Sequence, residues 1–233
     1  MSKILKAGEC GFGMLYESDA GYINSDLNPK FLNEAFEIKP NEPVLVNCIL
    51  QKWGVKNKNG RIYPKDVLVP QVMEYQKLVD TNCAVSESDH PDSSIISLQN
   101  ISHMITKMWW GTGDHENVLY GQLKIIVSPG YIRYGVASVM GDKIVLYIQN
   151  KIKLGISSRG VGTLKEINGE NLVQNDFELI GFDLVATPST PGAFLFPSKS
   201  GDMSFDETYV NKNGIYLNEM EKKIINATNK FLL

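Results

Sequence analysis

The chain has 233 residues, of which 43% are hydrophobic and 21% charged, a balance typical of a globular protein with one main hydrophobic core. Its formal net charge of −3 and its scattered lysines give no general attraction to phosphate backbones, so nucleic acid is not expected as a partner. The three cysteines, Cys10, Cys48 and Cys83, predict neither a disulfide framework nor a zinc site. There is no signal-peptide core and no long apolar run, so we expect a soluble intracellular protein that does not bind membranes.

The central part of the chain is predicted to begin with a strand, a loop and a helix. The run VLVNCILQKW at 44–53 is rich in β-branched and apolar residues, which predicts a strand. The following GVKNKNGRIYP at 54–64 is dense in glycine, asparagine and proline, which indicates a loop. Apolar residues then recur on one helical face, so we predict a helix over 70–79 with Pro70 in its first turn.

Antiparallel strands are predicted next. AVSES at 84–88 precedes ISHMITKMWW at 101–110, whose residues alternate between two faces. A GTGDHEN turn at 111–117 joins that segment to VLYGQLKIIV at 118–127. These segments predict a meander.

The next part of the chain is predicted to return from helix to strand. Residues 131–152 suit a helix apart from two glycines. KLGISSRGVGTL at 153–164 and FELIGFDLVATP at 177–188 have strand character and lie on either side of an Asn168-Gly169 turn.

Both ends of the chain differ from this central domain. We predict an N-terminal extension over 1–40, a domain over 41–197, and a linker with an amphipathic C-terminal helix over 198–233. Apolar residues recur at helical spacing in that last segment, which is typical of a packed terminal helix or a partner-binding segment. The recurring positions are Leu217, Met220, Ile224, Thr228 and Phe231, of which all but Thr228 are apolar.

The three histidines are the candidate acid–base residues. His103 lies in the alternating ISHMIT strand, which favours a structural, half-buried side chain. His115 lies in a turn and has no second histidine four residues later, so it does not form a zinc-binding HExxH helix. A metal-dependent hydrolase would need both of them to converge with His90 and Asp114.

His90 has a different setting. It stands in SESDHPDS, a polar turn-forming segment after a predicted strand, close to the carboxylates of Glu87, Asp89 and Asp92. Neighbouring carboxylates can fix the tautomer of an imidazole. From the segment alone, an exposed loop histidine and a catalytic base both remain open.

Two further segments could carry chemistry. In LGISSRG at 154–160, glycines flank two serines, which can bring backbone N–H groups close to a substrate. It is not a GxSxG elbow, because Arg159 occupies the position of the second glycine. In GFDLVATPSTP, Asp183 interrupts an apolar strand, so its carboxylate is either solvent-exposed or held inside by a partner.

Together these segments resemble the prohead core proteases of large tailed phages over residues 44–191. The resemblance is carried by NKNGRIYP at 57–64, the His90-Pro91 pair, MWWGT at 108–112 and GISSRG at 155–160. It implies an α+β fold like that of herpesvirus assemblins, a small, mainly antiparallel β-barrel flanked by helices.

The resemblance also implies a set of site residues. Carried over by motif position, Ser157 is the nucleophile, His90 the general base and Asp183 the third member, with Glu87 as the rival for that third role. Backbone N–H groups from Ser158 to Gly160, with Arg159 assisting through a water, are the candidates for the oxyanion hole. No cofactor or metal is expected.

The function that the resemblance implies is a serine endopeptidase of phage prohead maturation. Its substrates would be scaffold or core and capsid proteins, cleaved inside the assembling prohead in the host cytoplasm, and the enzyme is expected to self-associate. The alternative is a catalytically inactive scaffolding or capsid-assembly protein on the same fold, with the terminal helix as its docking element.

The resemblance further suggests cleavage after glutamate, with an aliphatic residue two positions earlier. This pattern occurs outside the central domain at 15–17, 32–34 and 217–219, where the glutamates are Glu17, Glu34 and Glu219. We therefore predict self-cleavage, above all after Glu219, which would remove most of the apolar stripe of the terminal helix.

Overall fold

The structure is a computed structural model that describes residues 3–6, 8–17, 43–150 and 152–197. The linker and helix predicted over 198–233 lie outside these residues. The strands are β1 (Gly11–Tyr16), β2 (Val44–Lys52), β3 (Arg61–Ile62), β4 (Val85–Glu87), β5 (Ile101–Trp110), β6 (Val118–Ile125), β7 (Gly155–Ile167), β8 (Glu170–Val173), β9 (Glu178–Val185) and β10 (Phe196–Pro197). The helices are α1 (Lys65–Asp80), α2 (Pro129–Tyr134) and α3 (Met140–Gln149).

The strands form two five-stranded sheets. The first has the order β1-β7-β8-β3, with β9 also paired to β7, and the second has the order β10-β2-β6-β5-β4. All these pairs are antiparallel except β3 with β8. The predicted α+β class with mainly antiparallel strands is confirmed. The small β-barrel that was predicted is not found as a closed barrel among the described residues, because their strands divide into these two sheets.

Strand β7 organises the first sheet. It pairs with β9 through its first half and with β8 through its last residues, while β1 lies along its other edge. The turn between β7 and β8 is the predicted Asn168-Gly169, and both residues have positive φ, 55° and 81°. These are the angles that a two-residue hairpin requires.

The main core lies on one face of the second sheet. Alternate residues of β2 contribute to it, as expected for a strand with one buried face: Val44, Val46, Cys48 and Leu50. Ile49 points to the other face, where it packs in a smaller cluster with Val118 and Tyr120.

Helix α1 covers part of this core and is longer than predicted. It begins at Lys65, directly after Pro64, and not at residue 70. The earlier start follows from burial, because Val67 and Leu68 belong to the same buried face as Val72. Pro70 is therefore inside the helix.

The helical segment predicted over 131–152 is two helices. Gly135 ends α2 in the left-handed conformation, with φ of 67°, and α3 begins only at Met140. Within the described ranges, no helix is long and apolar enough to span a membrane.

Candidate active site

The register between β7 and β9 brings two of the predicted site residues together. Ser157 on β7 lies directly opposite Asp183 on β9. Directly opposed residues of an antiparallel pair project to the same face. Both side chains therefore emerge on one face of the first sheet, and both residues are fully buried.

His90 reaches this face from the second sheet. Strand β4 ends at Glu87, and the chain then bridges to β9 through Ser88 and Leu184. The N–H of Asp89 also donates to the Leu184 carbonyl (2.8 Å), with Asp89 in the left-handed conformation (φ 62°). Asparagine and aspartate are among the non-glycine residues that adopt this conformation most readily. This turn directs the next side chain, His90, toward Ser157.

The three side chains form a continuous chain of contacts. His90 Nε2 is 2.8 Å from Ser157 Oγ, and His90 Nδ1 is 2.7 Å from Asp183 Oδ2. The His90 side chain is only 6% exposed. The arrangement has the connectivity of a nucleophile, a base and an orienting carboxylate.

Asp183 is held by further donors. The Glu87 N–H and Arg159 Nη2 donate to its Oδ1 at 3.2 and 3.1 Å. Arg159 Nε lies 2.8 Å from Oδ2, an ion-pair contact outside hydrogen-bonding geometry. A buried carboxylate needs such partners to remain charged away from water.

Glu87, the rival for the third role, has other partners. Its carboxylate accepts hydrogen bonds from Ser97 N–H (2.8 Å) and Asn100 Nδ2 (3.4 Å) and lies 3.5 Å from Arg159 Nη2. Glu87 thus contributes its backbone N–H to Asp183, while the Asp183 carboxylate contacts His90.

The residues after Ser157 face different surroundings. Ser158 Oγ accepts a hydrogen bond from Gln51 Nε2 (2.8 Å), so it lies on the face opposite Ser157. The Arg159 guanidinium donates to the Ser93 carbonyl (2.8 Å) besides contacting Asp183. Gly160 leaves room for the ring of Phe177, which a Cβ at that position would strike.

The other two histidines lie elsewhere. His103 is in β5 and fully buried, deeper than the half-buried position predicted, and its Nε2 is 2.8 Å from the Phe182 carbonyl. His115 lies in the 3-10 turn Gly113–His115. In the part of the chain that the structure describes, no three histidine, cysteine, aspartate or glutamate side chains are grouped closely enough to hold a metal ion.

One neighbour of the site was not expected from the sequence. The ring of Tyr16 stacks on His90, with centroids 4.8 Å apart and an interplanar angle of 12°. Its hydroxyl donates to the Pro91 carbonyl (2.6 Å). The only sequence signal for this segment was the glutamate pattern at 15–17; the patterns at 32–34 and 217–219 lie outside the described residues.

The comparisons with known proteins agree on one family. The model of the family described as prohead core protein serine protease matches residues 30–203. The chain belongs to this family. The resemblance read from NKNGRIYP, His90-Pro91 and GISSRG is thereby confirmed, and the chain is a peptidase of phage prohead assembly.

A curated protein and a solved structure support this membership of the prohead core protease family. The prohead core protein protease of Enterobacteria phage T4 is 31% identical over 175 residues, which cover 71% of this chain and 77% of that protein. The solved structure of the bacteriophage T4 capsid assembly protease matches with a TM-score of 0.58 at 26% identity. That match covers 75% of this chain and 98% of the solved one.

Proposed function

We propose that this prohead protease is a serine endopeptidase with Ser157 as nucleophile, His90 as general base and Asp183 as orienting carboxylate. The observation that carries the proposal is that the His90 ring lies within hydrogen-bonding distance of both other side chains. A serine hydroxyl is a weak nucleophile until a base takes its proton. Neutral imidazole performs that step, and a buried carboxylate stabilises the imidazolium that results.

The bond changes follow from this geometry. As Ser157 Oγ bonds to the scissile carbonyl carbon, its proton moves to His90 Nε2, and His90 Nδ1–H donates to Asp183. The C–N bond then breaks, and the leaving amine takes the proton from His90. A water molecule, deprotonated by His90, next attacks the acyl ester and releases the new carboxylate and Ser157.

The backbone N–H of Ser158 is the best-supported oxyanion donor among the three candidate residues. The Ser158 carbonyl accepts a hydrogen bond from Glu17 N–H (3.2 Å), on the β1 edge of β7. The N–H and C=O of one strand residue point to the same edge, so the Ser158 N–H faces that edge too. The neighbouring Arg159 peptide group faces β9 instead, and its guanidinium binds Asp183 and Ser93.

The biological setting is proposed from the family. The relatives are named for the prohead core and for capsid assembly. We infer that the substrates are scaffold or core and capsid proteins, cleaved after glutamate inside the assembling prohead, and that the enzyme self-associates and processes its own ends. We further propose that the chain has an assemblin-like fold, as the family resemblance implies.

Substitution of the two adjacent serines tests the mechanism. Ser157→Ala should lower kcat/KM for a glutamate-containing peptide by about 10⁴-fold or more with no loss of fold, and His90→Ala should match it. Ser158→Ala is the matched control and should keep most activity. Activity that survives in Ser157→Ala but not in Ser158→Ala would move the nucleophile by one residue, and an inactive wild type would favour the scaffolding alternative.

The third member is tested separately. Asp183→Asn should lower kcat by about 10²- to 10⁴-fold, less than Ser157→Ala, because an orienting carboxylate contributes less than the nucleophile. Glu87→Gln should be milder, since its backbone N–H to Asp183 survives. A wild-type rate in Asp183→Asn would exclude that carboxylate from the third role.

A further inference from the structure

A buried glutamine connects the nucleophile strand to the loop that follows β9. Gln51 of β2 is only 1% exposed. Its Nε2 donates to Ser158 Oγ (2.8 Å), and its Oε1 accepts from Thr190 Oγ1 (2.8 Å) and from Lys52 N–H (2.9 Å). Both lone pairs of the amide oxygen are therefore used, and the side chain is held at three points. We call the contacts of Gln51 with Ser158 and Thr190 the Gln51 bridge.

A β-bulge turns Gln51 toward the nucleophile strand. In β2, Ile49 lies opposite Tyr120, and after one extra residue Gln51 lies opposite Leu119. Ile49 and Tyr120 share the smaller cluster on the other face of the second sheet, whereas Leu119 belongs to the main core. Strict alternation would place Gln51 on the face of Ile49. The bulge instead places it on the face of Leu119, which β7 contacts, as bulges beside active sites often do.

The residues directly before and after Ser157 are tied to one loop. Before it, Ile156 N–H donates to the Ala193 carbonyl (2.9 Å), and Ala193 N–H donates to the Thr190 carbonyl (3.1 Å). After it, Ser158 reaches Thr190 through the Gln51 bridge. Ser157 is therefore held between two anchored neighbours.

The bridge lies on the opposite side of β7 from the catalytic side chains. Ser157 and Ser158 project to opposite faces of the strand. Gln51 therefore approaches Ser158 from the side away from a substrate bound at Ser157. In the proposed mechanism the Ser158 N–H is an oxyanion donor, and such a donor acts only when it is already aimed at the position where charge develops. A residue that fixes Ser158 thus acts on the oxyanion through that N–H.

We propose that Gln51 is a positioning residue of this protease, which holds the Ser158 peptide group in the direction that an oxyanion requires. This inference rests on the proposed serine mechanism at Ser157. Thr190 shares the role, because its hydroxyl fixes the amide oxygen of Gln51. The bridge thereby connects the second sheet to the nucleophile strand and to the loop after β9.

Hydrogen-bonding capacity explains why the bridge needs a glutamine. Leucine has a similar volume but neither a donor nor an acceptor, so Gln51→Leu leaves the buried Ser158 and Thr190 hydroxyls without this partner. Leaving buried polar groups unpaired costs more than the bond itself contributes, and the strand is expected to shift. Ser158→Ala is milder, because Gln51 keeps its bonds to Thr190 and to Lys52 N–H.

Substitution of two buried glutamines tests the proposal. In the full chain, Gln51→Leu should lower kcat by about 10- to 100-fold while KM stays within about twofold, because oxyanion stabilisation acts in the transition state. Gln122→Leu is the matched control and should keep kcat. Gln122 is also buried in the second sheet, but it bonds to Asn47 and Thr106. Equal kcat in the two folded variants would overturn the role of Gln51.

Two changes at Thr190 give an independent test. Thr190→Val keeps the shape but loses the hydroxyl, and it should lower kcat by about three- to tenfold. Thr190→Ser keeps the hydroxyl and should retain most of the activity that Thr190→Val loses. A packing role predicts the opposite order, since serine lacks a methyl group that valine keeps. A Thr190→Val enzyme as active as Thr190→Ser would therefore overturn the bridge.

A transition-state analogue separates this inference from the mechanism. With a peptide aldehyde, Ser157 Oγ adds to the aldehyde carbon, its proton moves to His90 Nε2, and the former carbonyl oxygen becomes the oxyanion. Gln51→Leu should weaken binding of the aldehyde by about 10- to 100-fold and leave binding of the matching peptide alcohol unchanged.

The two failures give different results. Unchanged aldehyde affinity in Gln51→Leu would overturn the positioning role while the mechanism stands. An aldehyde that binds wild type no more tightly than the alcohol would overturn the serine mechanism, and this inference with it.

Discussion

Two histidines of this chain show how surroundings decide a residue's role. His90 lies at the junction of the two sheets, between Ser157 and Asp183. His103 is fully buried, with Ser102 Oγ 2.9 Å from Nδ1 and the Phe182 carbonyl 2.8 Å from Nε2. Burial lowers the pKa of His103 to about 4. His103 is therefore a neutral core residue at pH 7.

We expect His103 to make the fold acid-sensitive. Its pKa is about 4 in the folded chain and about 6.5 when unfolded, so between these values the unfolded state binds the proton more tightly. The contribution of neutral His103 to the free energy of unfolding is therefore complete above pH 6.5 and is lost as the pH falls toward 4. The loss amounts to roughly 3 kcal/mol in total. Urea unfolding at several pH values across this range measures the free energy of unfolding of wild type and of His103→Gln. The free energy of wild type should fall more steeply with falling pH than that of the variant. The same pH dependence in both proteins would show that His103 does not cause the acid sensitivity.

At the scale of elements, β7 is the part of the fold on which the site depends. It carries Ser157 and pairs with β9, the strand of Asp183, on one edge. On its other edge it pairs with β1 and accepts a hydrogen bond from Glu17 N–H. The segment around Phe177 also packs closely against β7. At Gly160 an added Cβ would meet the Phe177 ring and, at 2.6 Å, the Glu178 carbonyl oxygen.

Gly160→Ala should therefore destabilise the protein by about 1–3 kcal/mol, because the methyl group forces β7 away from its neighbours. Gly130→Ala is the control, since its nearest contact is an ordinary 3.8 Å and its position is helical. That change should be neutral or slightly stabilising. Chemical denaturation measures the free energies of unfolding of the two variants. Equal values for Gly160→Ala and Gly130→Ala would show that β7 accommodates the methyl group.

At the scale of the whole molecule, the protease is expected to act on its own ends. A protease confined with its substrates experiences a very high effective concentration of itself, and chain ends are the most available peptide bonds. Intact-mass measurement of wild type should give a chain that ends at Glu219, and Ser157→Ala should remain full length.

A pair of glutamate substitutions in the tail controls this measurement. Glu219→Gln should block the cut, because it removes the glutamate that the pattern requires. Glu221→Gln should leave the cut intact, since Glu221 has no aliphatic residue two positions before it. If wild type and Ser157→Ala both stay intact after prolonged incubation at high concentration, self-processing is wrong, although cleavage of other substrates would stand.

Much of the local structure could be predicted from the sequence. Alternation in ISHMITKMWW predicted β5, and Asn168-Gly169 predicted the turn that follows β7, because both signals depend on neighbouring residues. The start of α1 at Lys65 was missed, since the burial of Val67 and Leu68 depends on distant contacts. The residues of the site were named through family motifs, and their chemistry alone left His90 and Asp183 ambiguous.

The family, the candidate residues and the strands β2, β4, β5, β6, β7 and β9 could thus be identified from the sequence, whereas β1 lies in the predicted N-terminal extension and β3 in the predicted loop. Which candidates meet depends on the packed fold: His90 and Asp183 are 93 positions apart, and Glu17 lies 172 positions before Ser189. The physical reason is register. A slip of one residue between two strands turns every side chain to the other face, so Ser157 meets Asp183, and Glu17 meets Ser189, only in the pairing that the core selects.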